Sequence, residues 1–187
     1  MKLRGERIKL LAAARGVTAE QLAQAVERPS LKGDHALSAV RNWMRDNDHP
    51  SVKAVDCQKI AAALGVPVSE VVKFTSRVLN HRGSPRKAKL LVDLIRGKQV
   101  DAALNMLTFT TKRAALNVKK CLSAAIADAE AFEADVAKLY VVESRCDDGV
   151  RIKRFQPKDR GRAHPIIKRM SNITVSVGHK AAGKKAK

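Results

Sequence analysis

Apolar residues recur at helical intervals through about residue 74. They return every three or four positions, which predicts a series of short amphipathic helices. Gly16 and Gly65 follow two of these runs, as glycine does where a helix ends in the left-handed conformation. Thr18 stands three residues before Gln21, a spacing that predicts a capping box at the start of the second helix. A third helix is predicted over about residues 35–45.

The pattern changes at residues 75–83, which predicts the start of a second domain. Residues 76–81 are typical of a strand. Ser84 followed by Pro85 favours a helix start, because a capping hydroxyl precedes proline at the first helical position. A short helix is expected near residues 100–107. The longest helix is predicted to begin near residue 110 or 111 and to continue to about residue 132.

From Lys138 onward the period becomes two, which predicts strands. Residues 138–146 form one predicted strand, and Asp148 with Gly149 indicates either a turn or a bulge after it. Residues 151–157 and 166–177 are then predicted to be two arms around a tip. The end of the second arm alternates, with Ile173, Val175 and Val177 on one side of the strand and Thr174 and Ser176 on the other.

Charge divides the chain into two unequal parts. The formal net charge is +19, and a chain this basic is expected to meet a polyanion, most commonly a nucleic acid. Residues 1–75 hold 12 Lys and Arg against 8 Asp and Glu, whereas residues 76–187 hold 25 against 10. The polyanion hypothesis therefore belongs to the C-terminal part.

Several classes of site and protein are excluded by motif. Cys57, Cys121 and Cys146 contain no CxxC pair, which excludes a zinc ribbon, and an odd number argues against a disulfide scaffold. The five histidines show no metal-ligand spacing, and no phosphate-binding glycine loop occurs. Ser84 and Lys87 match the SxxK pattern of acyl enzymes, but the companion motifs are missing and a helix cap explains Ser84. We expect no enzyme activity, cofactor or metal, and no apolar run is long enough to span a membrane.

The predicted arms and their tip carry one sign of charge along an extended segment. Residues 151–187 contain 12 basic residues and a single acid, Asp159. The apolar residues are too few to bury both faces of a hairpin, and an isolated two-stranded ribbon is only marginally stable in water. A solvated charged loop is the alternative, but the pattern favours a ribbon that requires RNA. Arg86, Lys87 and Lys89 likewise place cations in the first turn of a helix, which indicates a phosphate neighbour because the helix dipole disfavours them there.

Three segments together resemble a known family. SPRKAKLLVDLIRGK (84–98), LSAAIADAEAF (122–132) and residues 147–177 are similar, in order and without large gaps, to the large-subunit ribosomal protein family number twenty-two. The resemblance implies an α+β fold in which three helices pack on a three-stranded antiparallel sheet with a long protruding β-hairpin at about 150–173. The family usually has Ile where this chain has Gly83.

The resemblance implies a structural constituent of the cytoplasmic ribosome that supports subunit assembly and lines the peptide exit tunnel with its hairpin. Expected partners are large-subunit ribosomal RNA, neighbouring large-subunit proteins and the nascent peptide. The expected tip residues are Arg160, Gly161, Arg162, Ala163 and His164. The expected ribosomal-RNA contacts are Arg82, Arg86, Lys87, Lys89, Arg96, Lys98, Lys112, Arg113, Lys119, Lys120, Arg151, Lys153, Arg154, Lys158, Lys168 and Arg169.

Residues 1–75 lie outside that resemblance and are similar to the lambda-repressor-like helix-turn-helix domain, an all-α module. The third helix would then present Ser38, Arg41, Asn42 and Arg45 as candidate nucleic-acid contacts, since Arg and Asn suit base edges. A DNA-binding transcriptional regulator is therefore the alternative function, and a small helical module docked on RNA or protein is the plainer one. The predicted domains are 1–75, 76–178 and a disordered basic tail at 179–187.

Overall fold

A computed structural model of the protein describes residues 1–179. The predicted basic tail, apart from His179, lies outside the described residues. The chain forms two compact units. The first comprises Met1–Phe74 with Ala129–Asp135, and the second comprises Thr75–Asp128 and, within the described residues, 136–179. The assignment of Ala129–Asp135 to the first unit was not expected from the sequence.

The first unit is largely helical. Its elements are β1 (Lys2–Leu3), α1 (Gly5–Arg15), α2 (Ala19–Val26), α3 (Asp34–Met44), α4 (Ala54–Ala63) and α5 (Val68–Val71). The predicted capping box begins α2: the Gln21 amide donates to Thr18 Oγ1 at 3.3 Å, and the Thr18 amide donates to Gln21 Oε1 at 2.9 Å. Gly16 ends α1 with φ of 66°, a conformation that glycine adopts without a steric penalty.

Aliphatic side chains around one tryptophan form the core of the first unit. Trp43 is buried, and its Nε1 donates to the Pro50 carbonyl at 2.7 Å, so the indole has its polar atom satisfied. Ile8, Leu22 and Ile60 are also fully buried. Residues 27–33 join α2 to α3, a longer connection than the tight turn of the resembled helix-turn-helix family. The helix-turn-helix assignment stays a prediction.

The second unit is a mixed α+β structure. Its elements are β2 (Val72–His81, from Thr75 onward), α6 (Pro85–Ile95), α7 (Val100–Phe109), α8 (Ala114–Glu130, as far as Asp128), β3 (Leu139–Pro157) and β4 (Ala163–His179). The strands lie in the order β2, β4, β3, and β3 pairs antiparallel with β4. This agrees with the α+β class that the sequence predicts.

The core of the second unit lies between the helices and the central strand. Helix α6 packs on β3 and β4 through the predicted stripe, which includes Leu91 and Ile95. Ile173, Val175 and Val177 of β4 are fully buried, and Thr174 and Ser176 between them are buried as well, so both faces of this segment are covered. Each buried aliphatic side chain contributes about 1.5–3 kcal/mol by leaving water. This core holds the base of the long hairpin in place.

The segment around Asp148 and Gly149 is a bulge within one long strand, which decides between the two sequence interpretations. Asp148 pairs with Ser171 and Arg151 pairs with Arg169, so two residues of β3 face Met170 alone. The predicted strand at 138–146 and the predicted first arm are therefore parts of the same strand, β3. A bulge of this kind increases local twist and bends the strand.

Candidate nucleic-acid interface

The β3–β4 hairpin beyond the bulge presents cations on both of its faces. Residues that lie opposite each other in an antiparallel ladder share a face, and successive residues alternate. Arg151, Lys153 and Arg169 therefore lie on one face, and Arg154 and Lys168 lie on the other. All five side chains are exposed. A ribbon with charge on both faces can contact phosphates on two sides at once.

Apolar side chains interrupt the charge on this ribbon without forming a core. Phe155 is 76% exposed and Ile167 is 49% exposed, and both lie on the Arg151 face of the ladder. An exposed aromatic ring among guanidinium and ammonium groups suits stacking on an unpaired base. Phe155 is not among the residues predicted to contact RNA, although its position in a basic extended segment is a signal that points to it.

The tip of the hairpin is a tight turn. The Lys158 amide donates to the Arg162 carbonyl at 2.7 Å, and the Arg162 amide donates to the Asp159 carbonyl at 3.2 Å. Arg160 and Gly161 both have left-handed backbones, with φ of 55° and 70°. The expected tip residues are all exposed, but Ala163 and His164 already pair in the ladder, with Pro157 and Gln156 opposite them.

The start of α6 has the predicted cap position but not the predicted cap bond. Ser84 is the N-cap residue and Pro85 is the first helical residue, yet the serine side chain makes no capping hydrogen bond. The first turn contains no acidic residue, and Arg86, Lys87 and Lys89 are exposed. The positive end of this helix therefore lies among cations, a combination that favours an anionic ligand.

A cleft of about 620 Å³ opens beside this helix start. It brings together four of the predicted RNA contacts, Arg82, Lys87, Lys112 and Arg113, with residues that the sequence analysis did not select: His81, Gly83, Ser84, Leu90 and Ala114. A second groove of about 440 Å³ shares part of this turn and is lined by Arg82, Gly83, Ser84, Ile167, Lys168 and Arg169. The turn at residues 82–84 therefore joins the helical part of the candidate interface to the base of the hairpin.

His81 is buried at the edge of the first cleft in a defined orientation. The Asn117 amide Nδ2 lies 2.7 Å from His81 Nδ1 and donates to it, which places the ring proton on Nε2. Burial lowers the pKa of His81 below its usual value, and the nearby Arg113 guanidinium lowers it further. The ring is therefore neutral at physiological pH and offers one donor.

The predicted contacts in and between α6, α7 and α8 that have not been described above also line neither cleft. Arg96 is engaged within the protein: it donates to the Ser144 carbonyl at 2.6 Å and pairs with Asp93 at 2.8 Å. Lys119 is half-buried, and its Nζ donates to Thr108 Oγ1 at 2.9 Å. Lys98 and Lys120 are exposed.

The candidate contacts of the first unit are only partly arranged as expected. Ser38, Arg41 and Arg45 form one exposed stripe along α3. Asn42 is half-buried, and its Nδ2 donates to the His49 carbonyl at 3.1 Å, so its amide is occupied within the fold. This leaves two arginines and one serine on the helix face that was predicted to meet a nucleic acid.

Comparison with known proteins assigns the family. The family model described as ribosomal protein L22p/L17e matches residues 76–178, which is more than half of the chain. The chain belongs to the ribosomal protein L22p/L17e family. It is 46% identical over 101 residues to the large ribosomal subunit protein uL22 of Clostridium novyi (strain NT), covering 54% of this chain and 91% of that protein.

Membership in the L22p/L17e family confirms the resemblance of the C-terminal part and supports a structural, non-enzymatic role. The matched residues contain the whole basic hairpin and both clefts. Among residues 1–179, His, Cys, Asp and Glu side chains form no group of three or more that could hold a metal ion. Within the same range, every helix is too short or too polar to cross a membrane.

Proposed function

We propose that this protein is a structural constituent of the large ribosomal subunit that binds ribosomal RNA through its second unit. The observation that carries the proposal is the distribution of cations on both faces of the β3–β4 hairpin, within the part of the chain that matches the family. Arg forms bidentate hydrogen bonds with phosphate oxygens and Lys supplies point charge. A ribbon charged on two faces suits passage between RNA segments better than docking on one surface.

The tip extends this proposal to the peptide exit tunnel. Arg160 and Arg162 flank Gly161 at the end of the hairpin and are fully available to a partner, since their side chains are exposed. The family resemblance implies that this tip reaches the tunnel wall, where it would meet RNA and the nascent peptide. The globular part of the second unit would then contact neighbouring large-subunit proteins and support subunit assembly, in the cytoplasmic ribosome.

A salt-wash experiment tests the ribosomal role. Ribosomes are purified from cells that express the full chain or a chain lacking residues 1–75, and the subunits are washed in high salt. We expect both chains to remain on the large subunit. A full chain that leaves at moderate salt, or that sediments only with free DNA, would contradict the proposal.

The tunnel role is tested by changing the two tip arginines together. Arg160→Ala with Arg162→Ala should weaken RNA affinity only modestly, because many other phosphate contacts remain. It should change where ribosomes stall and how cells respond to drugs that bind the tunnel. Arg145→Ala, near the sheet and ion-paired with Glu143 and Asp147, is the control. Normal assembly with unchanged stalling and drug response would argue against a tunnel contact while leaving RNA binding intact.

A second candidate function concerns the first unit alone. The exposed stripe of Ser38, Arg41 and Arg45 on α3 favours nucleic-acid binding, and DNA binding by a transcriptional regulator is its sharpest form. Deleting residues 1–75 would abolish such an activity and spare the ribosomal one. A chain carrying Arg41→Ala and Arg45→Ala should lose any DNA retention that the full chain shows. If this variant still retains DNA, α3 is not the element that contacts it.

A further inference from the structure

The turn that joins β2 to α6 separates two clefts whose walls share Arg82, Gly83 and Ser84. The larger cleft, about 620 Å³, falls within the range of roughly 300–1,000 Å³ that holds small organic ligands. The smaller groove, which shares these three residues, adds Lys168 and Arg169 from β4. A strand of nucleic acid that crossed the turn would meet both cavities in succession.

The larger cleft combines apolar walls with a cationic rim. Leu90, 59% exposed, and Ala114 supply the apolar surface, together with the ring of His81. The rim cations, Arg82, Lys87, Lys112 and Arg113, are exposed, and within residues 1–179 none of them forms an ion pair. A free phosphate would leave the apolar walls unused, whereas an apolar ligand would leave four cations without a partner.

Two helix starts reinforce the preference for an anion at the same place. Ser84 precedes α6, and Ala114 is the first residue of α8; both line the cleft, and neither helix has an acidic residue in its first turn. The backbone amides at a helix start attract anions. The cleft therefore offers positive potential on its rim and a flat, weakly polar wall inside, which together match a phosphate and a base.

The position of the His81 ring at the edge of the cleft depends on glycine at residue 83. A Cβ built on Gly83 would lie 2.8 Å from His81 Nε2, a contact too short for the ring to remain where it is. Asn117 holds the other ring nitrogen, so Nε2 carries the proton on the side of Gly83. His81 can thus donate one hydrogen bond to a ring nitrogen or carbonyl oxygen of a bound base.

We propose that this cleft receives one unstacked nucleotide of the bound RNA strand. The phosphates flanking that nucleotide lie against the rim cations and, across the turn, against Lys168 and Arg169. The base packs on Leu90 and Ala114 and accepts a hydrogen bond from His81 Nε2. This rests on the proposed RNA-binding function and adds to it a site that reads a base rather than only the backbone.

The test compares RNA with and without bases on the full chain. The probes are a nine-nucleotide oligoadenylate, the same oligomer with one abasic position at its centre, a fully abasic ribose-phosphate oligomer and free AMP. We expect the oligoadenylate to bind about tenfold or more tightly than the fully abasic oligomer. The oligomer with one abasic position should bind with an affinity between those of the oligoadenylate and the fully abasic oligomer. The His81 ring resonances should shift with the oligoadenylate and stay unchanged with the fully abasic oligomer.

Two variants fill or strip the cleft without removing a cation. Gly83→Val should reduce the preference for bases to about twofold or less while the salt dependence of binding stays unchanged, because the phosphate contacts remain. The backbone of Gly83 is not left-handed, so the change strains the site by contact alone. Leu90→Ser removes an exposed apolar wall and should act in the same direction, which keeps the test valid if Gly83→Val fails to fold. Arg151→Ala, on the hairpin, should weaken all the oligomers equally.

The possible outcomes distinguish a failure of the nucleotide cleft from a failure of RNA binding as a whole. Equal affinity for the oligoadenylate and the fully abasic oligomer overturns the nucleotide cleft and leaves RNA binding standing. AMP that binds as tightly as the oligoadenylate shows a free-nucleotide site and also overturns it. If no oligomer binds and the protein also leaves the ribosome on washing, the proposed function itself fails.

Discussion

Arg151 and Arg169 lie directly opposite each other in the β3–β4 ladder, immediately beyond the bulge. Like charges at facing positions of an antiparallel pair destabilise it. Asp148 relieves part of this repulsion, since its Oδ2 lies 2.8 Å from Arg151 Nη2, whereas Arg169 makes no ion pair within residues 1–179. Arg169 thus weakens the free ribbon and is available to an anion, as expected if binding matters more than the stability of the isolated hairpin.

Replacing Arg169 should separate these two effects. We expect Arg169→Thr to stabilise the hairpin of the free protein by about 0.2–1 kcal/mol, because the repulsion is removed. RNA binding should weaken, and its dependence on log salt should fall by about one unit, as one phosphate contact is lost. Binding isotherms at four or more salt concentrations measure this. Arg145→Thr is the matched control and should leave the slope unchanged, since Arg145 already contacts Asp147 at 3.4 Å. An unchanged slope for Arg169→Thr would exclude it as a phosphate contact.

Hydrogen exchange in the free protein should differ sharply between the base of the β3–β4 hairpin and its outer part. Amides at residues 171–177, whose side chains are mostly buried, should exchange slowly. Amides at residues 151–169 should exchange fast, because nearly all of their side chains are exposed and few apolar contacts oppose local opening. Addition of RNA should slow the exchange of the amides at residues 151–169. Equal protection of both groups without RNA would contradict the idea that the ribbon needs a partner for stability.

Acid should destabilise the second unit through His81. The pKa of His81 is lowered in the folded protein by burial and by Arg113, so the unfolded chain binds a proton at higher pH than the folded one does. Stability is therefore full above the unfolded pKa of about 6.5 and declines as pH falls below it, until the folded group also protonates. Urea unfolding at pH 7.5, 6.0 and 5.0 should show this decline. His81→Gln should reduce this decline in stability with falling pH. If the variant shows the same decline as the unchanged protein, other groups cause the pH dependence.

Asp56 should matter more to the first unit than any surface carboxylate. It is 1% exposed, accepts the Lys53 amide at 3.0 Å and lies 3.1 Å from Arg28 Nη1, although that nitrogen lacks hydrogen-bond geometry. Asp56→Asn leaves the Arg28 charge without its buried partner and should cost roughly 3 kcal/mol in free energy of unfolding. Asp48→Asn removes the more exposed pair with Lys2 and should cost less than about 1 kcal/mol. Similar costs for the two variants would show that the Arg28 pair contributes little.

Local signals in the sequence predicted local features well. The capping box of Thr18, the left-handed Gly16 and the alternation of Ile173, Val175 and Val177 each depend on residues close together in the chain. The charge of the ribbon was equally evident, because so many cations on a two-stranded hairpin cannot be buried. Only the choice between a turn and a bulge at Gly149 required the pairing partner, which lies about twenty residues away at Met170.

The cleft could not be predicted, because its walls come from separate segments. His81, Leu90 and Ala114 have no pattern that links them, and only the tertiary fold brings them together. The same limit applies to the internal hydrogen bonds of two predicted RNA contacts. Arg96 and Lys119 look like any exposed basic residue in the sequence, yet each donates a hydrogen bond to a group elsewhere in the second unit.

The bulge at Gly149 helps to determine the direction in which the hairpin leaves the sheet. A Cβ at Gly149 would lie 3.0 Å from the carbonyl carbon of Met170, so a larger residue there would change the angle at which the ribbon leaves the sheet. The arm from Arg151 to Pro157 is about 20 Å long at roughly 3.3 Å per residue. A change of 10° at its base therefore moves the end of the strand by about 3.5 Å, roughly the rise of one residue. The absence of a side chain at Gly149 thus influences the position of Arg160, although the two residues are far apart along the hairpin.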